Sequence, residues 1–352
     1  MKAIPWSCLK LGVVSILLLS TSLSAQNDSS ITNDLKNGLK SDYFNVSMLL
    51  QTNFRYSIED DYHLQHRYLA GRTFQLANAR LDIKGNVDGG YFYRMHFNVA
   101  REPNLLDAYV GYKYDDRLII TAGRQKPSQS IDFIPAPQDY DFLDRARITR
   151  RLVAFRELGV SAQGTLGNFN YYFGLFNGDD INIGPYNRFY GIGRLQYSIK
   201  NVIPGEIILG VSGSQGEGGV IRESHFGGNY WVHERSILGS DIQIKTNKWM
   251  FKVEYLHSWL EYNFDEPVFP SREVELFGYY FSAGYNITEK IQLLGRFQGW
   301  NREGNYNDNY QTTLGLKYFA TPNVSFRLNL DVYKPDYEDR QMGIGAMMQF
   351  RF

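Results

Sequence analysis

Residues 341–352 read QMGIGAMMQFRF. From Met342 onward every second residue is apolar, whereas Gln341, Gln349 and Arg351 fall on the other parity. The side chains of a β-strand point alternately to its two faces, so this stretch predicts a strand with one apolar and one wetter face. Repeated with turns in between, such strands suit a closed barrel in a bilayer, because lipid cannot bond to open backbone groups.

The same two-residue period recurs along the chain and predicts sixteen antiparallel strands. Their expected cores are 44–55, 73–86, 90–101, 105–114, 117–126, 157–166, 168–177, 188–199, 205–214, 235–246, 248–258, 274–286, 289–300, 311–320, 322–334 and 341–352. Short turns alternate with longer loops, as in outer-membrane barrels. We therefore predict an all-β fold, a transmembrane antiparallel β-barrel of sixteen strands over residues 44–352. A soluble barrel or sandwich is the alternative, but its outward face would be polar.

The first residues have the features of an export signal. Lys2 and Lys10 precede an apolar run, 11–19, and small residues lead to Ala25. This pattern predicts a signal peptide over residues 1–25, followed by a polar segment over 26–43. The only cysteine, Cys8, would be lost with the signal, so the mature chain could form no disulfide. We expect a bacterial outer-membrane location.

Charge constrains the partners. The chain has 37 basic and 37 acidic residues, and removal of Lys2 and Lys10 leaves 35 against 37, a net charge near −2. A nucleic-acid-binding protein is normally clearly basic, so we expect no nucleic-acid partner.

Basic residues within the predicted strands share the parity opposite the apolar face. There are ten of them against five acidic residues: Arg80, Lys84, Arg94, Lys113, Arg194, Lys245, Lys252, Arg296, Lys317 and Arg327 against Asp82, Asp107, Asp241, Glu254 and Asp331. A charge exposed to lipid near the midplane would cost about 2–4 kcal/mol, so all of them should point inward. The inner wall would then be net positive. In the second strand, Ala77 and Ala79 are expected on the lipid face.

The connection 127–156 is 30 residues long and unusually apolar for a loop. Phe133 and Phe142 favour a loop that folds back into the barrel and packs on its wall. The same connection holds Arg145, Arg147, Arg150, Arg151 and Arg156. Guanidinium groups bind phosphate or carboxylate oxygens in pairs, so these arginines could form a positive constriction. In the alternative interpretation they pair with acidic neighbours such as Asp132 and Asp144 and only brace the loop.

Several stretches occur in an order and spacing that point to one family. They are 78–81 with Lys84-Gly85, 106–110, 122–127, 155–160, 172–178 and 313–318. Together they resemble the phosphate-selective porin O and P family over the barrel, from about residue 44 to the end. The resemblance implies a sixteen-stranded, trimeric, passive channel.

We expect an outer-membrane porin for passive diffusion of small anionic solutes, phosphate or polyphosphate among them. Its expected partners are the solute, outer-membrane lipid and two further copies of the chain in a homotrimer. We expect no cofactor, no metal and no enzymatic activity. The expected pore-lining, anion-binding residues are Arg145, Arg147, Arg150, Arg151, Arg156, Arg80, Lys84, Arg94, Arg124, Lys126, Arg296 and Arg327.

Two other functions remain open. A general or carbohydrate-conducting porin could use aromatic residues that have the parity expected for the lumen: Tyr109, Tyr172, Phe277, Tyr279 and Phe281. A binding or surface protein without conductance would instead use its long loops. A further aromatic set should form girdles at the membrane interfaces: Tyr91, Tyr93, Trp249, Tyr255 and Tyr318.

Two groups of histidines are candidates for catalytic or metal-binding chemistry. His257 stands beside Ser258, the nearest arrangement to a hydrolytic pair, but a third partner is missing and His257 has the lipid parity. His63 and His66 lie near acidic residues of the first loop. This pattern favours a solvated loop over a metal site, because no further ligand has a defined spacing.

Overall fold

The structure is a computed structural model that describes residues 40–41, 43–57, 72–153, 155–178, 189–217, 220–223, 228–262, 272–302, 305–335 and 340–352. Two compact units are distinguished, Met1–Ser41 and Asp42–Phe352. The predicted signal peptide, nearly all of the polar segment 26–43, and His63 and His66 lie outside the described residues. Of the first unit, the two-residue strand β1 (Lys40–Ser41) is described.

Antiparallel strands make up most of the second unit. They are Phe44–Ser57 (β2), Arg72–Val87 (β3), Tyr91–Asn98 (β4), Leu105–Asp115 (β5), Leu118–Gln125 (β6), Glu157–Leu166 (β7), Phe169–Phe176 (β8), Tyr190–Lys200 (β9), Gly205–Glu217 (β10), Val220–Glu223 (β11), Gly228–Thr246 (β12), Trp249–Tyr262 (β13), Arg272–Asn286 (β14), Ile291–Arg302 (β15), Asn305–Phe319 (β16), Val324–Lys334 (β17) and Gln341–Arg351 (β18). In the described part of the chain, one α-helix, Arg147–Leu152 (α1), and a short 3-10 helix, Pro137–Asp139, lie between β6 and β7. Among the described residues, no helix has the length and apolar character needed to cross a membrane.

The last strand closes the sheet on β2. It pairs antiparallel with β2 from Gly343 opposite Ser57 to Arg351 opposite Leu49. The short β11 pairs with the start of β12, while β10 pairs directly with β12. The result is a closed antiparallel barrel of sixteen strands, β2–β10 and β12–β18, which confirms the predicted fold class. Closure gives every barrel strand two hydrogen-bonded neighbours, which lipid could not provide.

Alternation along each strand separates an apolar outside from a polar inside. On β18 the outward Ile344, Met348 and Phe350 are exposed, whereas Gln341 and Gln349 are buried. The exposed apolar side chains form the surface that lipid tails cover, so their exposure in the isolated chain carries no cost in the bilayer.

Aromatic pairs surround the end of the barrel that carries the short turns. Outward-facing rings on neighbouring strands contact one another close to these turns. Tyr91, Trp249 and Tyr318 of the expected girdle take part in these pairs. Three ring-centroid distances are 4.9 Å for Tyr91–Tyr112, 4.6 Å for Phe169–Tyr197 and 4.4 Å for Trp249–Tyr285. Such rings suit the level of the lipid headgroups.

The expected outward position of Ala77 is wrong. The pairing of β2 with β3 steps from Gln51 opposite Asn78 to Thr52 opposite Leu76, so Ala77 is the extra residue of a bulge. A bulge changes the side to which the following residues point. Ala77 is therefore buried inside, where it packs with Leu143 of the 127–156 connection.

The expected inward positions of Phe277, Tyr279 and Phe281 are also wrong. Phe281 is 46% exposed on the outside, whereas its neighbour Tyr280 is 1% exposed and points inward. The inner face of β14 is apolar as well, because Leu276 packs against α1. Both parities of this strand are therefore apolar, and the alternation no longer identifies the outside.

The connection 127–156, called the third loop below, folds into the barrel as predicted. Ile148 and Leu152 of α1 pack on a buried apolar patch of the inner wall that includes Leu256 and Leu276. The wall has glycines where the loop approaches most closely. A Cβ added at Gly278, Gly315 or Gly345 would meet Ile148, Phe142 or Leu143 at 2.9, 3.3 or 2.7 Å, respectively.

Candidate functional site

Cations of the inner wall bind backbone carbonyls of the third loop. Each of these bonds is charge-assisted, because its donor is an ionised side chain. The bonds are Arg327 Nη2 to Gln138 O at 2.6 Å, Lys317 Nζ to Tyr140 O at 3.2 Å and Arg296 Nη1 to Asp144 O at 3.1 Å. Much of the positive charge of this wall is thus used to hold the loop.

Carboxylates provide a second set of anchors. Lys252 Nζ lies 2.6 Å from Asp141 Oδ2. The buried Glu254 accepts bonds from Ser130 Oγ at 2.9 Å and from the backbone N–H of Ile131 at 3.0 Å. The start and the middle of the loop are therefore both fixed to β13.

Arg147 fixes the beginning of α1. Its guanidinium lies 4.9 Å from the ring centroid of Trp300 and 4.4 Å from that of Tyr333, and its Nε donates to Gln311 Oε1 at 3.0 Å. Arg151 lies over Trp300 at 5.9 Å. These two arginines face aromatic rings of the wall and contribute to loop packing.

Apart from the bond of its last residue, Arg156, to Asp107 of β5, the hydrogen bonds of the third loop reach one side of the barrel. They join it to β2, β9, β10, β13 and β15–β18. The loop thus fills this side. The wall formed by β3–β8 remains as the side along which a solute can pass.

Four basic side chains lie where the loop faces that wall. Arg80, Lys126, Arg145 and Arg156 are within electrostatic range of one another, and we call them the cation cluster. The Tyr140 ring lies beneath Arg145, with 4.6 Å between the guanidinium carbon and the ring centroid. Arg145 also donates to the backbone carbonyls of three loop residues, Asp132, Phe133 and Pro135.

Lys126 is held by neutral groups. Among the described residues its Nζ donates to Ile134 O at 2.9 Å and Pro135 O at 2.7 Å. Burial, followed by the charges of Arg145 and Arg156, lowers the pKa of Lys126 to about 6. The amine therefore changes charge close to neutral pH, and a nearby anion would favour its protonated form.

Two other loop groups have shifted pKa values. Burial raises the pKa of Tyr140 against the opposing effect of Arg145, so its hydroxyl remains a neutral donor. Burial alone would raise the pKa of Asp144, but Arg55 and Arg150 outweigh it and lower the pKa. Asp144 is therefore ionised, and Arg55 Nη2 lies 2.7 Å from its Oδ2.

Asp107 is the carboxylate that faces the cation cluster from β5. Its Oδ1 accepts a bond from Arg156 Nε at 2.7 Å, and its Oδ2 lies 2.9 Å from His96 Nδ1 and 3.6 Å from Arg94 Nη1. Arg94 is held further by Asp82 at 2.7 Å. One carboxylate thus meets several cations, which leaves an excess of positive charge at this point.

The twelve expected site residues fall into several groups. Arg80, Lys126, Arg145 and Arg156 form the cation cluster, and Arg94 lies beside it. Arg147, Arg151, Arg296 and Arg327 hold the loop or pack against it. Arg150 is 40% exposed and 3.8 Å from Asp144, and Lys84 is an exposed, inward residue of β3. Arg124 donates to the carbonyls of Leu105 and Leu106, a structural role.

Three residues of this region are absent from the sequence expectation. Arg55 has the inward parity of β2 and could have been found by the same rule as Arg80. Tyr140 lies in a connection without periodicity, so nothing in the sequence marks it. Arg101 is expected at the end of the strand 90–101, on the lipid parity, but β4 ends at Asn98 and Arg101 lies in the turn that follows. Arg101 lies within electrostatic range of Asp144 and Arg150.

The structure gives no support for hydrolytic chemistry at His257 and Ser258. Ser258 is buried on the inside and donates to Leu276 O at 3.0 Å. His257 faces outward and contacts Glu275 at 3.3 Å. The two side chains lie on opposite faces of β13. Within the described part of the chain, no group of three or more His, Cys, Asp or Glu residues could hold a metal ion.

Comparison with protein families tests the resemblance. A family model described as phosphate-selective porin O and P matches residues 50–188, which include the cation cluster and the third loop. The predicted resemblance is confirmed. An uncharacterized protein of Caulobacter vibrioides is 30% identical over 142 residues, and the match covers 37% of this chain. The chain spans only 28% of the length of that relative.

Solved porin structures share the fold. The anion-selective porin from Comamonas acidovorans has a TM-score of 0.65 and 12% identity, over 88% of this chain and 99% of its own. The outer membrane channel DcaP of Acinetobacter baumannii has a TM-score of 0.62 and 10% identity, over 88% and 97%. OmpT of Vibrio cholerae, in a trimer form, has 0.61 and 11%, over 88% and 99%. The match to this family model and the closed multi-strand barrel support the predicted location in the bacterial outer membrane.

Proposed function

We propose that this porin is a passive channel for small anionic solutes. The observation that carries the proposal is the cation cluster, Arg80, Lys126, Arg145 and Arg156, beside the open wall. An anion loses hydration water where the loop narrows the barrel, and several donors close together can replace that water. Because the donors are shared among several side chains, no single contact needs to trap the ion.

Oxyanions such as phosphate and polyphosphate are the solutes that this chemistry fits best. Arg80 offers the planar donors of its two Nη groups, which can meet two oxygens at once, while Arg145 adds its Nη1 and the Tyr140 hydroxyl offers a neutral donor. The name of the matching family and the anion selectivity stated for the Comamonas porin support the proposal. We further propose a homotrimer, as in the trimer form of the Vibrio porin.

Reversal potentials in a KCl gradient across planar bilayers test the proposal. At pH 5, where Lys126 is positively charged, the wild-type channel should be anion-selective, and Arg80→Gln combined with Lys126→Met should reduce that selectivity. Each lost charge weakens the attraction for a passing anion by roughly 1 kcal/mol in a wet pore, which is about fivefold in a binding constant. Arg80 is suited to this test because its Nε bonds to the Asn78 side chain, not to the third loop.

Lys245→Gln is the matched control. Lys245 also points inward, but it lies near the short turn between β12 and β13, away from the third loop. Its substitution should leave selectivity nearly unchanged. Cation selectivity of the wild type, or equal selectivity of the wild type and the double variant, would contradict the proposal. A channel without conductance would instead favour a surface-binding role.

A further inference from the structure

The inner face of β7–β9 carries two rows of side chains in register. The first row is Gln163, Tyr172 and Arg194, and the second is Thr165, Asn170 and Gln196. Adjacent strands are about 4.8 Å apart, and the rows are two residues, or about 6.6 Å, apart along the strands. We call these six residues the polar array. The array adjoins the short turn between β7 and β8, below the third loop.

A cavity lies over the array. Its volume is about 390 Å³, and all six residues line it, together with Ser128 from the start of the third loop. Ile119 of β6 closes one side. Cavities of a few hundred Å³ accommodate small organic ligands, so a single sugar ring fits the space.

Unused hydrogen-bonding groups face this cavity. Within the described part of the chain, the side-chain amides of Gln163 and Gln196 make no hydrogen bond to another protein group; Gln163 is exposed and Gln196 is half-buried. Thr165 Oγ1 donates to Asn170 Oδ1 at 2.7 Å, which leaves the Asn170 amide N–H groups available. An amide offers donors and an acceptor side by side, and a solute hydroxyl needs both.

The array carries almost no net charge, and Asp116, which also lines the cavity, is paired with Lys113 at 2.7 Å. The buried Arg194 is neutralised by Asp241 at 2.7 Å, and it also donates to Gln129 O at 3.2 Å. This distinguishes the array from the cation cluster, where one carboxylate faces several cations. Phosphate recognition would use uncompensated cations, whereas amides, a hydroxyl and one aromatic ring suit a solute rich in hydroxyl groups.

We propose that the polar array is a subsite for a polyhydroxylated ring of monosaccharide size, on the short-turn side of the constriction. The sugar hydroxyls bond to the amides of Gln163, Asn170 and Gln196, and the ring lies beside Tyr172. This subsite needs only a water-filled barrel, so it does not depend on anion selectivity. A sugar that carries an acidic group would contact the cation cluster and then the array.

Current fluctuations of single channels in KCl, with D-glucose added, test the subsite. The wild type should show glucose-dependent noise that saturates with concentration. Gln163→Ala combined with Gln196→Ala should raise the half-saturating glucose concentration about tenfold, because two solute hydrogen bonds are lost. The proposal would be overturned if the half-saturating glucose concentration stayed the same in this double variant. It would also be overturned if glucose lowered the wild-type current only in proportion to the viscosity of the solution.

Two controls separate this subsite from the anion path. Gln292→Ala removes an amide near the short-turn end of β15, across the barrel, and should leave the glucose effect unchanged. Arg80→Gln should alter ion selectivity but not the half-saturating glucose concentration. If Arg80→Gln abolished the glucose effect while the double glutamine variant retained it, sugar would bind at the cation cluster and the array would have no such role. When inorganic phosphate is added in place of glucose, its effect on the current should change in Arg80→Gln and should stay the same in the double glutamine variant.

Discussion

Arg156 Nε donates to Asp107 Oδ1 over 2.7 Å, and this bond joins the end of the third loop to β5. Asp107 is 2% exposed and also contacts His96 and Arg94. The carboxylate therefore has two effects. It fixes the direction of Arg156, and it reduces the positive charge that a passing anion meets.

Asp107→Asn should strengthen anion binding and slow anion release. Loss of the carboxylate adds roughly 1 kcal/mol of attraction for an anion in the cluster. The chloride concentration for half-maximal conductance should fall about fivefold, and the maximal current should fall with it, because a tighter site empties more slowly. Conductance measured from low to high KCl gives both values. Asp116→Asn removes an exposed carboxylate at a short turn and should leave both values unchanged.

Anion selectivity should increase as the pH is lowered from 8 to 5. The pKa of Lys126 is about 6, so the amine is neutral above that pH and positively charged below it, beside Arg80, Arg145, Arg156 and Asp107. Lys126→Met should remove this increase. His96 bonds to Asp107, and histidines titrate in the same range, so His96→Gln is the necessary comparison. A pH effect that persists in Lys126→Met and disappears in His96→Gln would assign the titration to His96.

Arg327→Met should loosen the third loop. The substitution lies on β17, so it leaves the β3–β8 wall of the solute path unchanged. Arg327 donates to Pro137 O, Gln138 O and Gln349 Oε1 at 3.3, 2.6 and 3.1 Å. Each lost charged bond costs about 1.5–3 kcal/mol where water does not replace it. The temperature at which the folded form disappears on detergent gels should fall, and open-channel noise should rise. Arg351→Met is the control, since Arg351 is half exposed and lies 3.7 Å from Asp139.

Gly278→Val should displace α1 and change the conductance. A Cβ at Gly278 would lie 2.9 Å from Ile148 Cγ1 and 2.9 Å from Gly299 O, so the helix must move away from the wall. Gly295→Val offers a matched control on the neighbouring strand, because a Cβ there would meet nothing within 4 Å. Equal single-channel conductance in the two variants would mean that α1 does not limit the current. A partial return towards wild type in Gly278→Val combined with Ile148→Ala would support the contact.

Alternation predicted the sixteen strands because two constraints act together on them: lipid requires an apolar outside, and closure requires paired strands. It failed at Ala77, where one extra residue in β3 reverses the direction of the side chain. It failed again at Phe277, Tyr279 and Phe281, because α1 covers the inner face of β14 and makes that face apolar as well.

The candidate site was harder to predict than the fold. The inward direction of Arg80 and Arg327 follows from parity alone, but their different roles do not. Arg327 bonds to the carbonyl of Gln138, 189 residues away in sequence, and a carbonyl has no side-chain signature. Whether a cation is available to a solute or bound to the loop therefore depends on the path of the loop backbone.

The one-sided attachment of the third loop has an evolutionary consequence. Substitutions along β3–β8 can change what the channel admits while the supports of the loop stay intact. Substitutions on the wall that holds the loop, at Lys252, Glu254 or Arg327, would first cause folding defects. Descendants that acquire new solutes should therefore differ mostly along one arc of the cylinder, and the opposite arc should change slowly.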